Sequence, residues 1–209
     1  MQVQKPLAVI SPTLDGDVLA VLAQAEVTFT PGQVARLVQD ASVEGIRKVL
    51  QRLAAQGILD VERVGQAYTY RLNRDHLAAE HIVALANQRT TLLSRIEQTL
   101  AGWAVRPVYG AVFGSAARGQ MRLDSDIDLF LVRPGDSDED AWETQTSELA
   151  HTVSRWTGND TRILQMTETE ARTGAAAGEP VLRSILDDAL TVAGHPSWLR
   201  RQLRAAARP

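Results

Sequence analysis

Residues 108–132, VYGAVFGSAARGQMRLDSDIDLFLV, predict a strand, a Gly-Ser turn, a short helix and a second strand. Side chains alternate between the two faces of a strand, so Asp126 and Asp128 should point one way while Ile127 and Leu129 point into a core. Side chains two positions apart lie roughly 6.6 Å from each other along a strand, a spacing that lets two flexible carboxylates share hard cations. The pattern therefore predicts a magnesium site.

The first half of the same stretch has features that favour the binding of a phosphate group. Gly114 has no side chain, so a ligand can approach its backbone, and Ser115 begins a helix whose free N–H groups attract an anion. Arg118 adds a positive charge one turn later. Simpler explanations exist: a turn glycine, a helix cap at Ser115, an ion pair between Arg118 and Asp124, and acids that only solubilise a strand edge.

GSAARG followed by SDIDL resembles the nucleotidyltransferase superfamily related to DNA polymerase β, in particular the minimal nucleotidyltransferases and the antibiotic-modifying adenylyltransferases. The resemblance covers residues 104–194 and implies a polymerase β-like α/β domain with a small mixed sheet. It implies Mg²⁺ or Mn²⁺, a nucleoside triphosphate, first of all ATP, and transfer of the nucleoside monophosphate to an acceptor hydroxyl. It also implies residue roles: Asp126 and Asp128 as catalytic metal ligands, and Gly114, Ser115 and Arg118 as nucleotide-binding residues.

Active members of that superfamily usually carry a third carboxylate on a neighbouring strand, which helps to bind the metal and accepts the proton of the hydroxyl. Asp160 is the natural candidate, at the start of the predicted strand 160–166. Because it follows Gly158 and Asn159, Asp160 is equally well explained as a turn residue. Glu168, in a predicted first helical turn, and Asp124, in a loop, are weaker substitutes.

Composition limits the protein class. The chain has 209 residues, of which 44% are hydrophobic and 22% charged, as in ordinary globular proteins. It contains no cysteine, which excludes disulfides, thiolate metal sites and a cysteine nucleophile. MQVQKPLAVIS lacks the features of a signal peptide and no apolar run is long enough to span a membrane, so we expect a cytoplasmic protein without membrane contact. The net charge of −3 argues against non-specific coating of nucleic acid.

The N-terminal part predicts a second domain. Residues 1–14 are expected to form a loosely ordered arm, and residues 15–74 predict three helices followed by a β-hairpin that turns at Gly65. The apolar positions of the third helix, which Ser42 should cap, are Ile46, Val49, Leu50 and Leu53. This order of elements resembles a winged helix-turn-helix, in which the third helix enters the major groove and the wing contacts the DNA backbone.

On this chain the resemblance places Ser42, Arg47, Lys48 and Arg63 against DNA, with Glu44 and Gln66 nearby. Acidic and basic residues are equal in number between Asp15 and Arg74, so charge does not decide the question. The alternative is that the domain only packs against other parts of the protein or forms a homodimer.

The rest of the chain completes an α+β fold. Residues 75–103 predict a linker helix. After the site, the sequence predicts a helix from Ser137, a capping box at Thr167 and Glu170, a helix from Pro180 and an edge strand at 190–192. Residues 195–209 form a basic tail, expected to be a frayed end, with the arginines Arg200, Arg201, Arg204 and Arg208.

Two functions from different classes are therefore expected. The first is a magnesium-dependent nucleotidyltransferase joined to a DNA-binding winged helix. The alternative is a winged-helix regulator or antitoxin-like protein whose nucleotidyltransferase domain senses nucleotide or is catalytically silent. The resemblance to minimal nucleotidyltransferases also raises a toxin-like partner protein as the acceptor, since likeness of fold fixes chemistry better than substrate.

Overall fold

The fold is that of a computed structural model, which describes residues 1–38 and 41–206, with side chains as far as residue 202. These residues divide into two compact units. The N-terminal unit contains residues 4–89 together with Gln2, and the C-terminal unit contains the residues from Thr90 onward together with Met1 and Val3. Both small sheets and the helices of the two units make this a mixed α+β protein, as the sequence predicts.

The N-terminal unit contains three α-helices followed by a hairpin. Their bounds are α1 Leu14–Ala23, α2 Pro31–Leu37, α3 Val43–Ala55, β1 Leu59–Val64 and β2 Ala67–Leu72. Ser42 caps α3, because its hydroxyl accepts the Gly45 N–H at 3.1 Å. The two strands are antiparallel, with Val64 opposite Ala67 across the turn. These elements lie where the sequence predicts them, and the assignment of the unit as a winged helix stays a prediction.

Residues 1–14 differ from the loose arm expected from the sequence. A short 3-10 helix, Pro6–Val9, buries Pro6 and Leu7, and Leu7 belongs to the core of the N-terminal unit. Val3 is also buried, in the core of the C-terminal unit. The arm is ordered because a few apolar side chains find cores, although they follow neither helical nor strand periodicity.

The expected single linker helix over 75–103 is two helices. These are α4, Ala79–Ala86, in the N-terminal unit, and α5, Gln88–Ala101, which lies in the C-terminal unit from Thr90 onward. Asn87 separates them with φ −93° and ψ 13°, and its N–H bonds to the carbonyls of the last turn of α4. Asparagine favours such a helix end because its side chain competes for backbone hydrogen bonds.

The C-terminal unit contains a four-stranded mixed sheet. Its strands are β3 Tyr109–Phe113, β4 Ile127–Arg133, β5 Thr161–Thr167 and β6 Leu190–Ala193, in the order β5-β4-β3-β6. Strand β4 is parallel to β5 and antiparallel to β3, and β6 pairs antiparallel with β3. The connecting helices are α6 Gly114–Arg118, α7 Glu139–Thr157, α8 Glu168–Ala177 and α9 Pro180–Asp188.

Local sequence signals set the starts of these helices. Thr167 and Glu170 form the predicted capping box of α8, and Pro180 is the first residue of α9. The helix expected from Ser137 begins two residues later, because the Asp138 carboxylate, not the serine, accepts the Ala141 N–H at 3.1 Å. Gly158 ends α7 with φ +71°.

Helices cover both faces of the sheet. On one face, Ile127, Leu129 and Leu131 are buried in a core that also contains Trp142 of α7. On the other face, Phe130 and Val132 belong to a core formed with α8 and α9. Strand β4 is consequently buried on both sides from Leu129 to Val132, which fixes the position of the residues at its beginning.

The C-terminal segment differs from the expected frayed tail. A helix, α10 (Trp198–Ala206), begins there, and its first two residues, Trp198 and Leu199, are buried. The Trp198 ring stacks on Tyr109 of β3, with ring centroids 5.7 Å apart. Arg200 and Arg201 are exposed, whereas the Arg204 side chain and Arg208 lie outside the described residues.

None of the helices in the described part of the chain is both long and apolar enough to cross a bilayer.

Candidate active site

The two aspartates of the SDIDL motif lie at the beginning of the central strand β4. Asp126 immediately precedes the strand and Asp128 is its second residue, and both side chains are partly buried. Ile127 and Leu129, which alternate with them, are fully buried in the core on the opposite face. The alternation of side chains therefore places both carboxylates on one face of the sheet.

Gly114 brings the backbone of the neighbouring strand against the second of these carboxylates. Its predecessor Phe113 is paired with Asp128 in the antiparallel ladder, and Gly114 itself has φ +69°. A Cβ atom at this position would lie 3.3 Å from Cγ of Asp128 and would collide with Oδ2 of the same carboxylate. Glycine is thus required here twice, for the left-handed backbone and for the space that Asp128 occupies.

Burial and charge both act on Asp128. Partial burial raises the pKa of the Asp128 carboxyl above its ordinary value, and the negative charge of Asp126 raises that pKa further. The positive charges of Arg162 and Arg118 oppose this rise. An ionised carboxylate held in an unfavourable environment is available for a cation that can replace the lost solvation.

Asp128→Asn is expected to raise the thermal stability of the metal-free protein at neutral pH. Because the pKa of Asp128 is higher in the folded than in the unfolded state, its contribution to stability is full below the unfolded pKa and is lost as the pH rises through the folded pKa. Asparagine stays neutral and removes that loss. Melting temperatures of the two proteins between pH 4 and pH 7 test this prediction. The variant is expected to melt at a higher temperature, by a difference that grows toward neutral pH. A variant that melts at a lower temperature at every pH would contradict the prediction.

Arg118 ends helix α6 beside the aspartates. Its Nη1 lies 3.5 Å from Oδ2 of Asp188, at the end of α9, and its Nε donates to Oε1 of Gln120 at 3.2 Å. The ion pair with Asp124 that the sequence allows is replaced by the pair with Asp188. The side chain is about one third exposed and lowers the pKa of Asp128 by its charge, so it lies close enough to act on the site.

Asp160 directly precedes strand β5 and is exposed. Its carbonyl accepts the Ile127 N–H at 2.8 Å, and the register of the parallel ladder places it beside Asp126. Within the part of the chain that the structure describes, no three acidic, histidine or cysteine side chains come together as metal ligands. The site is thus built around a pair of carboxylates, and a role for Asp160 stays a prediction.

Glu168 and Asp124 are the two weaker candidates for a third carboxylate. Glu168 begins α8 at the far end of β5, more than about 20 Å along the strand from Asp160, so it does not belong to this site. Asp124 is exposed in the turn before β4.

Sequence reasoning missed one charged residue, Arg162. It is paired with Asp128 in the parallel ladder between β4 and β5, and its Nη2 lies 2.9 Å from Oδ2 of Asp126. The only sequence signal is its spacing: Arg162 follows Asp160 by two residues, as Asp128 follows Asp126. That signal has meaning only once the two strands are known to be parallel and in this register.

The residues predicted to contact DNA are all exposed on the N-terminal unit. Arg47 is paired with Glu44 on α3, three residues earlier. Lys48 is exposed on the same helix. Arg63 of β1 donates from Nε to the Gly65 carbonyl at 3.2 Å, within the hairpin turn. The hydroxyl of Ser42 is used for the helix cap.

A cavity of about 450 Å³ lies elsewhere in the C-terminal unit, between α5 and the edge strand β6. Glu97, Arg106 and Thr191 are among its lining residues, and none of the predicted site residues lines it. The site at Asp126 and Asp128 is therefore identified by side-chain chemistry and strand register.

Comparison with known proteins supports the resemblance seen in the motif. Residues 108–173 match the family model described as a nucleotidyltransferase domain, which confirms the recognition of that domain over these residues. The matched segment contains both aspartates and Gly114, Ser115 and Arg118. Among curated proteins, none matches the sequence significantly.

Several solved structures show limited similarity. A toxin–antitoxin crystal structure with AMP-PNP aligns with a TM-score of 0.40 and 16% identity, over 55% of this chain and 83% of the other. The toxin–antitoxin MntA-HepT aligns at 0.37 with 14% identity, over 56% and 83%. TrmBL2, an archaeal chromatin protein, aligns at 0.30 with 14% identity, over 88% and 76%. At these values the similarities do not establish a common fold.

Proposed function

We propose that the protein is a magnesium-dependent nucleotidyltransferase that transfers a nucleoside monophosphate from a nucleoside triphosphate, first of all ATP, to an acceptor hydroxyl. The observation that carries the proposal is the pair Asp126 and Asp128 on one face of β4, with Asp128 packed against Gly114. The match of residues 108–173 to the nucleotidyltransferase domain supports the same chemistry.

The carboxylate pair fits a hard divalent cation. Asp126 and Asp128 offer only oxygen ligands, and Mg²⁺ is commonly held by one or two carboxylates together with substrate phosphates. A site with two acids is therefore sufficient, and Mn²⁺ suits the same ligands. The bound metal would neutralise the negative charge of the triphosphate. The raised pKa of Asp128 means that a nearby cation would stabilise the ionised form of this carboxylate.

The other site residues would position the nucleotide and the acceptor. Gly114 and Ser115 would lie against the phosphates, and Arg118 would contribute a fixed positive charge. The acceptor oxygen forms a bond to the α-phosphorus, the bond from that phosphorus to the pyrophosphate breaks, and pyrophosphate leaves. Asp160, which is exposed beside Asp126 in the strand register, is proposed to accept the proton of the acceptor hydroxyl.

Titration calorimetry with a non-hydrolysable ATP analogue tests the first half of this function. Binding in the presence of Mg²⁺ is expected to be at least about tenfold tighter than in the presence of EDTA, because the phosphates and carboxylates otherwise repel each other. Transfer itself is tested with ATP labelled at the α-phosphate, by following incorporation of the label into this protein itself or into a toxin-like partner protein. Equal binding with and without metal would contradict the proposal.

A second function is proposed for the N-terminal unit, as a DNA-binding winged helix. The observation in its favour is the sequence of three helices and a hairpin, with Arg47 and Lys48 exposed on the third helix and Arg63 on the hairpin. On this alternative the protein is a regulator or antitoxin-like protein, and its C-terminal domain senses nucleotide or is catalytically silent.

Arg47→Ala with Lys48→Ala is expected to weaken DNA binding and to lower its dependence on salt by about one unit of slope for each lost phosphate contact. Fluorescence anisotropy with random and promoter fragments, at several salt concentrations, measures both quantities. Lys5→Ala is the control, because Lys5 is exposed in the same unit but lies outside the three helices and the hairpin. Equal losses in the control and the double variant would argue against recognition by α3.

A further inference from the structure

The ion pair between Arg162 and Asp126 joins a cation to the proposed metal site. In a parallel ladder, paired residues point to the same face of the sheet, so Arg162 lies on the face that carries both aspartates. Its guanidinium contacts Oδ2 of Asp126 at 2.9 Å, and its charge also lowers the pKa of Asp128. In the absence of metal, the protein thus supplies its own counter-ion to the carboxylate pair.

The pair is built so that it can open. The Arg162 side chain is 75% exposed, whereas that of Asp126 is 23% exposed, so the carboxylate is held in place and the guanidinium extends into solvent. An exposed ion pair of this kind stabilises a protein only weakly, so it opens at little cost. Arg118, the other cation that acts on Asp128, is held by Asp188 and Gln120 instead.

Arg162 and a divalent cation compete for the negative charge of Asp126. A metal ion bound to this carboxylate places a second positive charge beside the guanidinium, and the repulsion weakens the ion pair and disfavours the binding of metal alone. This repulsion disappears when a polyphosphate is present, because a guanidinium binds phosphate oxygens with two parallel hydrogen bonds.

We infer that Arg162 is a nucleotide-binding residue that exchanges partners, from the Asp126 carboxylate in the free protein to a phosphate of the bound nucleoside triphosphate. This inference rests on the proposed function and deepens it. It has a consequence that no fixed metal ligand would produce: Arg162 opposes the binding of metal alone and favours the binding of metal together with nucleotide. The binding of metal and the binding of nucleotide would then each favour the other.

The test separates these two effects with Arg162→Met, which removes the charge and keeps the length of the side chain. Mn²⁺ binding without nucleotide, measured by electron paramagnetic resonance, is expected to become about fivefold tighter, the equivalent of about 1 kcal/mol. Binding of a non-hydrolysable ATP analogue in the presence of Mn²⁺, measured by calorimetry, is expected to become about tenfold weaker. Arg162→Lys, which keeps a positive charge, should bind Mn²⁺ alone nearly as weakly as the unmodified protein does.

Arg172→Met is the matched control, because Arg172 is an exposed arginine on α8 of the same unit. Opposite shifts in the two measurements, absent from the control, would support the exchange. Shifts in the same direction, or none, would overturn it. The proposed function fails separately: if Mn²⁺ binding survives Asp126→Asn with Asp128→Asn, these aspartates do not form the metal site, whereas Mn²⁺ binding that needs both aspartates but is unchanged in Arg162→Met overturns only this inference.

Discussion

Asp126→Asn combined with Asp128→Asn is expected to abolish metal-dependent nucleotide binding. The two side chains supply the carboxylate oxygens of the proposed site, and an amide binds Mg²⁺ more weakly than a carboxylate because it carries no charge. Loss of outer-shell partners alone commonly lowers metal affinity by about 10–100-fold, so removal of both ligands should lower it by more than about 100-fold. Calorimetry with a non-hydrolysable ATP analogue and Mg²⁺ measures the loss.

The variant must remain folded for this result to have meaning, and the structure gives a reason to expect that it will. The amide introduced by Asp128→Asn cannot ionise, so the variant avoids the unfavourable environment that raises the pKa of the native carboxyl. Asp136→Asn is the matched control, since Asp136 is exposed in the turn after β4. If the double variant bound nucleotide with unchanged affinity and unchanged metal dependence, these aspartates would have no part in the site.

The features that could be predicted from the sequence depend on contacts between near neighbours in the chain. The alternation of side chains along a strand predicts Asp126 and Asp128 on one face and Ile127 on the other. In the structure Ile127 is buried in the core on that other face. The capping box at Thr167 and the proline at the start of α9 are likewise properties of four or fewer consecutive residues. Such signals need no knowledge of the remaining fold.

The features that escaped prediction depend on pairing between distant segments. The contact of Arg162 with Asp126 follows from the register of β4 and β5, two strands separated in the sequence by α7. The burial of Trp198 depends on Tyr109, far away in the chain. The arginines around Trp198 give its segment the composition of a frayed end, although one apolar face is enough to dock it.

Packing around β4 also explains why the two carboxylates can be held in place at the beginning of this central strand. From Leu129 to Val132, strand β4 is buried on both faces, and β3 and β5 are hydrogen-bonded on its two sides. Asp126 and Asp128 extend from the beginning of this fixed segment. A site carried by a rigid strand loses less conformational entropy when it binds a metal and nucleotide than one carried by loops.

Gly114→Ala is expected to destabilise the protein and to remove nucleotide binding together. A left-handed backbone conformation costs a residue with a Cβ atom about 1–2 kcal/mol, and Gly114 has φ +69°. In addition, the new methyl group would collide with the carboxylate of Asp128. That carboxylate must then move, which changes its placement relative to the carboxylate of Asp126. We expect metal-dependent binding of the ATP analogue to fall by at least about tenfold, since small displacements of site residues have effects of this size.

Gly158→Ala separates the two causes. Gly158 lies in the same unit with φ +71°, so alanine there meets the same backbone strain, but its Cβ atom would have no neighbour within 4 Å. Chemical denaturation should therefore show a similar loss of stability in both variants, with a further loss at position 114 from the collision. Nucleotide binding should persist in Gly158→Ala and fail in Gly114→Ala. If the two variants bound equally well, the close approach of Gly114 to Asp128 would have no functional role, and the glycine would serve only the turn.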